Sequence, residues 1–235
     1  DAPLEKNIRE GLSVLLKSKN RDLSLDQIRT LNKQAPDEIK MALEPFGYYH
    51  IEVKSTIAGK HKSLRLIYII TLNDPTKVDE LHVQVEGEGA NNPYLLEKIE
   101  HFPLKKEDVF NHALYEKGKA EFQQGAIHEG YVKATYSKRQ VLVDLSSRTA
   151  DIDLTLQTGP QYYLGKVSFQ EGYYAPEFLN RFVTFDSTTP YRLEEIVGLE
   201  NRLTQSNLFS SAHAVPKIED ESHTVPMDIT LQEAK

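Results

Sequence analysis

Gly87-Glu88-Gly89-Ala90-Asn91-Asn92 stands between a strand-like and a helix-like run, where backbone N–H groups would cradle a dinucleotide's pyrophosphate. The pattern breaks at its third glycine position, which is Asn92, and Pro93 follows. A turn with glycine at positive φ and an asparagine helix cap accounts for the same residues. Asp151 and Asp153, two apart on one strand face, could pair their carboxylates. Their alternation with Ile152 and Leu154 reads instead as the wet outer face of a sheet. The 8 histidines are scattered singly, with no HxxxH or HxH spacing to hold a metal ion, and GxSxG, P-loop and HExxH patterns are absent. Without cysteine there are no disulfides, thiolate metal sites or cysteine nucleophiles. These residues predict no enzyme, no cofactor and no metal centre.

The elements that carry them are those of a folded, acidic chain. Of 235 residues 28 are Lys or Arg and 35 are Asp or Glu, a net charge of −7, which excludes a generally basic nucleic-acid binder. Hydrophobic residues at 39% and charged residues at 27% argue for packed domains, and no run approaches the roughly 18 apolar residues of a membrane-spanning helix. Lys105-Lys106 and Lys138-Arg139 read as solvated loops. The chain opens at Asp1 without Met or an apolar leader, and is expected to continue a longer sequence that was cut or processed.

A repeat organises the chain. Leu64 to Leu72, Ala150 to Leu156 and Pro226 to Leu231 each alternate as a strand that closes a unit. A further alternating run follows the first two, Leu81 to Gly87 and Leu164 to Gln170, with Leu72 to Val83 and Leu156 to Val167 both 11 residues apart. Phe46-Gly47-Tyr48-Tyr49 and Glu129-Gly130-Tyr131-Val132 end helical patterns, their glycines 83 apart. Asn207-Leu208-Phe209 takes that place in the third copy, without the glycine.

Within copy one, Leu4, Ile8, Leu12 and Leu15 line a helix over 4–17, and Ser24 with Gln27 forms a capping box for a short second helix. Pro36 is expected in the first turn of the next helix, whose stripe is Ile39, Ala42, Leu43 and Phe46 and whose stop is Gly47. Tyr49, Ile51, Val53, Ser55 and Ile57 then alternate as a half-buried strand. Copy two repeats this with a helix from Pro93 to Ile99, then Tyr115, Phe122 and Ala126, then Val132, Ala134 and Tyr136. Copy three uses Pro176 to Val183, then Ile196, Leu199 and Leu203, and a strand from Leu208 to Val215. The predicted fold class is α+β. Three tandem domains at 1–76, 77–159 and 160–235 each run β-α-α-β-β, with two helices on a small mixed three-stranded sheet, the first lacking its opening strand. The joins at Asn73 to Lys77 and Thr158 to Tyr162, each with a proline, read as fixed elbows.

Gly159-Pro160-Gln161-Tyr162-Tyr163-Leu164-Gly165-Lys166-Val167-Ser168-Phe169-Gln170-Glu171-Gly172 resembles the signature opening the last polypeptide-transport-associated (POTRA) domain of Omp85-superfamily proteins. Gly47-Tyr48-Tyr49 and Gly130-Tyr131-Val132 resemble that superfamily's glycine-tyrosine start of the second strand. Three such domains and the opening Leu4-Glu5-Lys6-Asn7-Ile8 are most similar to the TamA family. The resemblance implies a periplasmic arm before an outer-membrane β-barrel of a Gram-negative bacterium, the barrel lying beyond Lys235. It also implies a TamB-like inner-membrane-anchored partner and unfolded outer-membrane or autotransporter clients. The arm of another Omp85 member, BamA-like or a two-partner secretion transporter, and a passive spacer are the alternative readings.

Small sheets offer unpaired backbone groups along their rims, to which an extended peptide can add as another strand. With the second strand as the available edge, which the resemblance suggests, the candidates are Tyr49, Ile51, Glu52 and Val53 in copy one and Val132, Ala134 and Tyr136 in copy two. Tyr49 and Tyr131 also have a simpler reading, as rings packed under the sheet with hydroxyls in water. The differing copies suggest that the first docks the TamB-like partner while the third orients the barrel.

Overall fold

Three small sheets, each backed by helices, carry the α+β fold. The computed structural model describes residues 2–19, 23–60, 63–170, 172, 174–218 and 222–234. Asp1, Glu171 of the glycine-aromatic signature and Lys235 lie outside them.

The first layer contains α1 (Ala2–Gly11), α2 (Ser13–Ser18), α3 (Leu25–Leu43), β1 (Glu52–Lys60) and β2 (Ser63–Thr71). The strands pair antiparallel, from Glu52 opposite Thr71 to Gly59 opposite Leu64, as a two-stranded sheet. An opening strand is absent among the described residues, as the repeat predicts. The single helix expected over 4–17 is broken at Leu12, which is extended at φ −77° and ψ 109°. In a continuous helix Leu12 and Val14 would point about 200° apart; the break after Gly11 buries both in one core. The Glu38 carboxylate accepts from the Ser13 N–H at 3.0 Å, serving a donor at the new helix start.

Ser24 and Gln27 do form the capping box, but it starts a helix of 19 residues. Pro36, expected at a helix start, lies inside α3. Leu31, Ala35, Ile39 and Leu43, four apart, make one uninterrupted buried stripe across the proline. That burial outweighs the lost N–H and the ring's crowding of the Asn32 carbonyl.

The middle elements are β3 (Lys77–Glu86), α4 (Pro93–Glu100), α5 (His112–His128), β4 (Thr135–Asp144) and β5 (Thr149–Gln157), the strands in the order β3-β5-β4. Tyr115, Phe122 and Ala126 of α5 are buried, as their spacing predicts. The outer face of β5 is less wet than alternation predicts: Asp151 and Asp153 are half-buried and Thr155 is buried. A strand flanked on both sides is covered more fully than an edge strand. The third layer holds β6 (Tyr163–Phe169), α6 (Pro176–Leu179), α7 (Leu193–Gln205), β7 (Phe209–Pro216) and β8 (Thr224–Glu233). Here β8 runs parallel to β6 and antiparallel to β7, in the order β6-β8-β7. The helix expected over 176–183 is a four-residue α turn continued by a 3₁₀ turn, Asn180–Phe182. Leu164, Ile196, Leu199, Leu203, Met227 and Ile229 centre its core.

By density of contacts the chain divides into two compact units, one of Asp1–His82, Phe102–Gly118 and Gln140–Asp153, the other of Val83–His101, Lys119–Arg139 and Leu154–Lys235. Among the described residues no helix is long and apolar enough to cross a membrane.

Candidate interaction rims

The helix-ending glycines set where each second strand can begin. Gly47 has φ +85° and Gly130 φ +89°. Their N–H groups donate to Glu44 O (2.9 Å) and Ile127 O (3.0 Å), while Tyr48 and Tyr131 N–H groups donate to Leu43 O (3.3 Å) and Ala126 O (2.9 Å). Both ends are thus complete Schellman stops. Asn207, at φ +60°, takes the left-handed position in the third layer, where asparagine replaces the glycine.

The strands start several residues later than alternation predicts. Tyr49 and Ile51 precede β1, and of the copy-one candidates Glu52 and Val53 lie in it. Ile51 and Val53 pack on the first core, while the Glu52 side chain is exposed. Tyr49 is half-buried; burial, and then the nearby Glu44 carboxylate, push its hydroxyl above the ordinary tyrosine pKa. In the middle layer Val132 sits in a turn and Ala134 is buried just before β4. Ala134 spends both backbone groups inside the chain, its N–H on Tyr131 O at 3.0 Å and its C=O accepting Gln123 Nε2 at 2.9 Å. Tyr136 is the copy-two candidate that lies in β4, and its hydroxyl donates to Lys119 O at 2.7 Å. Tyr131 is 3% exposed, so its ring is packed as expected but its hydroxyl does not reach water. Burial raises its pKa, against a lowering hydrogen bond from the Asn92 side chain.

At the rims themselves β1, β4 and β7 each end a sheet, and each follows the long helix of its layer. Lys138 and Arg139 are exposed, but on β4 rather than in a loop. A feature that the spacing of residues did not predict is the second rim of the first sheet. Where β8 is flanked by β6, β2 has no further strand beside it among the described residues, and its inward side chains Leu66, Tyr68 and Ile70 line a hollow of about 410 Å³ with Leu4 and Ile8 of α1 and Leu12 of the break after it. Its opposite face exposes Ile69 by 61%. The apolar residues on both faces of 64–72 were the signal for it.

The glycine-rich segment is occupied by its own chain. Gly87 has φ +90°, and a Cβ there would run into Gln157 Oε1; one on Gly89 would lie 2.7 Å from Thr158 Cγ2. Asn92 Oδ1 accepts from the N–H groups of Tyr94 and Leu95, capping α4. The glycines serve a turn and close packing. Among the described residues no three acidic or histidine side chains gather as a metal-binding group.

A family model described as POTRA domain TamA domain 1 matches residues 1–72. The structure of BamA from Haemophilus ducreyi lacking POTRA domains 1–3 superposes with a TM-score of 0.50 at 13% identity, covering 67% of this chain and 29% of that one. POTRA3–5 of Haemophilus influenzae BamA gives 0.45 at 13% identity over 91% of this chain and 92% of that one. POTRA1–3 of Anabaena Omp85 gives 0.40 at 13% identity over 99% and 89%. Residues 1–72 are thus similar to a POTRA domain, and the chain shares its fold with the H. ducreyi protein, of which it spans less than a third.

Proposed function

We propose that the chain is a periplasmic interaction arm of three POTRA domains, 1–76, 77–159 and 160–235, from a TamA-like outer-membrane protein of the Omp85 superfamily. The arm binds extended segments of partner and client polypeptides by adding them to its sheet rims. The observation that carries this reading is the strand order: the strand after each long helix, β1, β4 and β7, lies at the rim of its sheet. Rim strands can offer backbone N–H and C=O groups for pairing that is tolerant of client sequence; in β7 the Ala214 N–H is already donated to Glu200 Oε1 at 2.7 Å, which leaves β1 and β4 as the favoured rims. A TamB-like partner at the first domain, unfolded outer-membrane or autotransporter clients and a barrel beyond residue 235 complete the reading; the family match over 1–72 supports it. The superposition with BamA favours a BamA-like arm as the second reading.

Calorimetric titration with a ten-residue peptide of alternating apolar and polar residues tests it. Glu52 and Ser55 are both exposed and stand three apart in an unbroken register, so one directs its N–H toward β2 and the other away. Proline at the outward one should weaken binding about fivefold, the equivalent of one hydrogen bond of ~1 kcal/mol. Equal affinity in Glu52→Pro, Ser55→Pro and the parent refutes rim binding at β1.

A further inference from the structure

We infer that Gly47 and Gly130, beyond stopping their helices, are the sockets of one backbone clamp used twice, which fixes each join between successive repeats. The Gly47 carbonyl accepts from Thr76 N–H at 2.8 Å, and the Thr76 carbonyl in turn accepts from Phe110 N–H at 2.9 Å. The Gly130 carbonyl accepts from Tyr162 N–H at 2.8 Å, and the Tyr162 carbonyl accepts from Tyr191 N–H at 2.8 Å. The next residue of each join makes an antiparallel bridge one step along, Lys77 with Val109 and Tyr163 with Pro190. Two pieces of chain 83 residues apart thus tie a helix end, a linker residue and the segment before the following long helix in the same order.

The clamp residues are buried, apart from the half-buried Tyr191. Thr76 and Tyr162 are each 1% exposed, and Phe110 2%. A Cβ on Gly47 would lie 2.6 Å from Phe110 O and 3.2 Å from Thr76 O; one on Gly130 would lie 2.7 Å from Tyr162 O and 3.3 Å from Tyr191 N. Glycine is needed twice at each site, for its positive φ and for this approach. Side chains brace both joins. Asp74 accepts from Arg148 at 2.6 Å, and the Arg148 carbonyl accepts from Lys77 N–H at 3.0 Å. At the second join Arg192 donates to Glu129 Oε1 at 2.9 Å, Gln161 Nε2 donates to Glu129 O at 2.7 Å, and Glu88 accepts from Gln161 N–H at 2.8 Å. Neither join marks the border of a compact unit; residues 73–77 fall inside one and 158–162 inside the other. The clamp is independent of what the rims bind.

Gly159→Ala is the internal control, because Gly159 has φ +65° but a Cβ there would meet nothing within 4 Å, so the variant suffers backbone strain without collision. Spin-label pairs on exposed sites, Met41 with Leu145 across the first join and Leu96 with Val215 across the second, read the distance distribution. Gly47→Ala should roughly double the width of the first distribution alone, Gly130→Ala that of the second alone, and Gly159→Ala neither. Thr76→Pro, which deletes the donor without touching the helix end, should reproduce Gly47→Ala. Widths unchanged in Gly47→Ala and Gly130→Ala overturn the inference. So does loss of the native amide spectrum of α3, β1 and β2 in Gly47→Ala with Thr76→Pro silent, since the glycine would then serve its own domain alone.

Discussion

Replacing Pro36 by alanine asks whether α3 is one helix in solution. The proline sits in the twelfth position of Leu25–Leu43, half-buried, and denies the Asn32 carbonyl its N–H partner. An interior proline costs ~3 kcal/mol relative to alanine. Against this, alanine frees the unfolded chain by about 0.4–1 kcal/mol, and loss of part of a half-buried ring forfeits about one methylene, ~0.8 kcal/mol. Pro36→Ala is therefore expected to stabilise α3 by about 1–2 kcal/mol. A chain that divides into two compact units need not unfold in one step, so a melting temperature is a poor measure. Amide hydrogen exchange of Ile39, Lys40 and Leu43 reports the local opening instead and should slow about 5–30-fold. Unchanged or faster exchange refutes the continuous helix and restores the arrangement that the sequence pattern predicts, with proline in the first turn of a separate helix.

Single contacts supply the other predictions. Ser24→Ala removes the acceptor for the Gln27 N–H and should cost about 1 kcal/mol, read as faster exchange in the first turn of α3. Phe122→Ala empties a site 1% exposed that packs with Leu95 and Leu156 and should destabilise locally by about 3–5 kcal/mol, read as faster amide exchange in α5 and β5; a loss under about 1 kcal/mol would contradict the packing. Asn207→Gly should be neutral or stabilising, whereas Asn207→Ala should lose about 1 kcal/mol through its left-handed backbone; equal effects would contradict φ +60°. Hydrogen bonds from Ser146 and then Ser147, side chain and backbone, hold the exposed Asp144 carboxyl at about 2, below its ordinary 3.8. A depressed acid contributes its stability in full above about 3.8 and loses it as pH falls through 2. The Ser146 and Ser147 amide shifts should therefore change with a midpoint near 2, and a midpoint near 3.8 would refute the turn.

Much of the fold was legible because a period of two survives wherever one strand face meets a core. All three closing strands lie where alternation puts them, and the stripe Ile196, Leu199, Leu203 is buried as spaced. The failures share a cause: long-range burial overrode a local signal. Pro36 is carried through by four-residue apolar spacing on both sides, while Leu12 is turned out of helix by a core that takes Val14 as well. At the candidate rims, alternation extends back through Val132 and Ala134, but the Schellman stop and the Gln123 bond hold that stretch out of the strand. The clamp partners lie about 30 residues apart in sequence and meet through backbone atoms, which no side-chain pattern encodes. The third stop was legible at Asn207 from its place in the repeat although the glycine is replaced, because what the site requires is a left-handed dihedral angle, which asparagine also supplies.

The last strand of each sheet to be synthesised is the one that completes the pairing: β5 enters between β3 and β4, and β8 between β6 and β7. Growing from its amino end, the chain can therefore close each of these sheets only when that sheet's own last strand emerges, and two nascent rims wait unpaired in the meantime. Trimming is equally asymmetric. Cleavage within Thr224–Glu233 takes the keystone from a three-stranded arch and leaves β6 and β7 without the strand they share, so one cut there should cost the whole third layer.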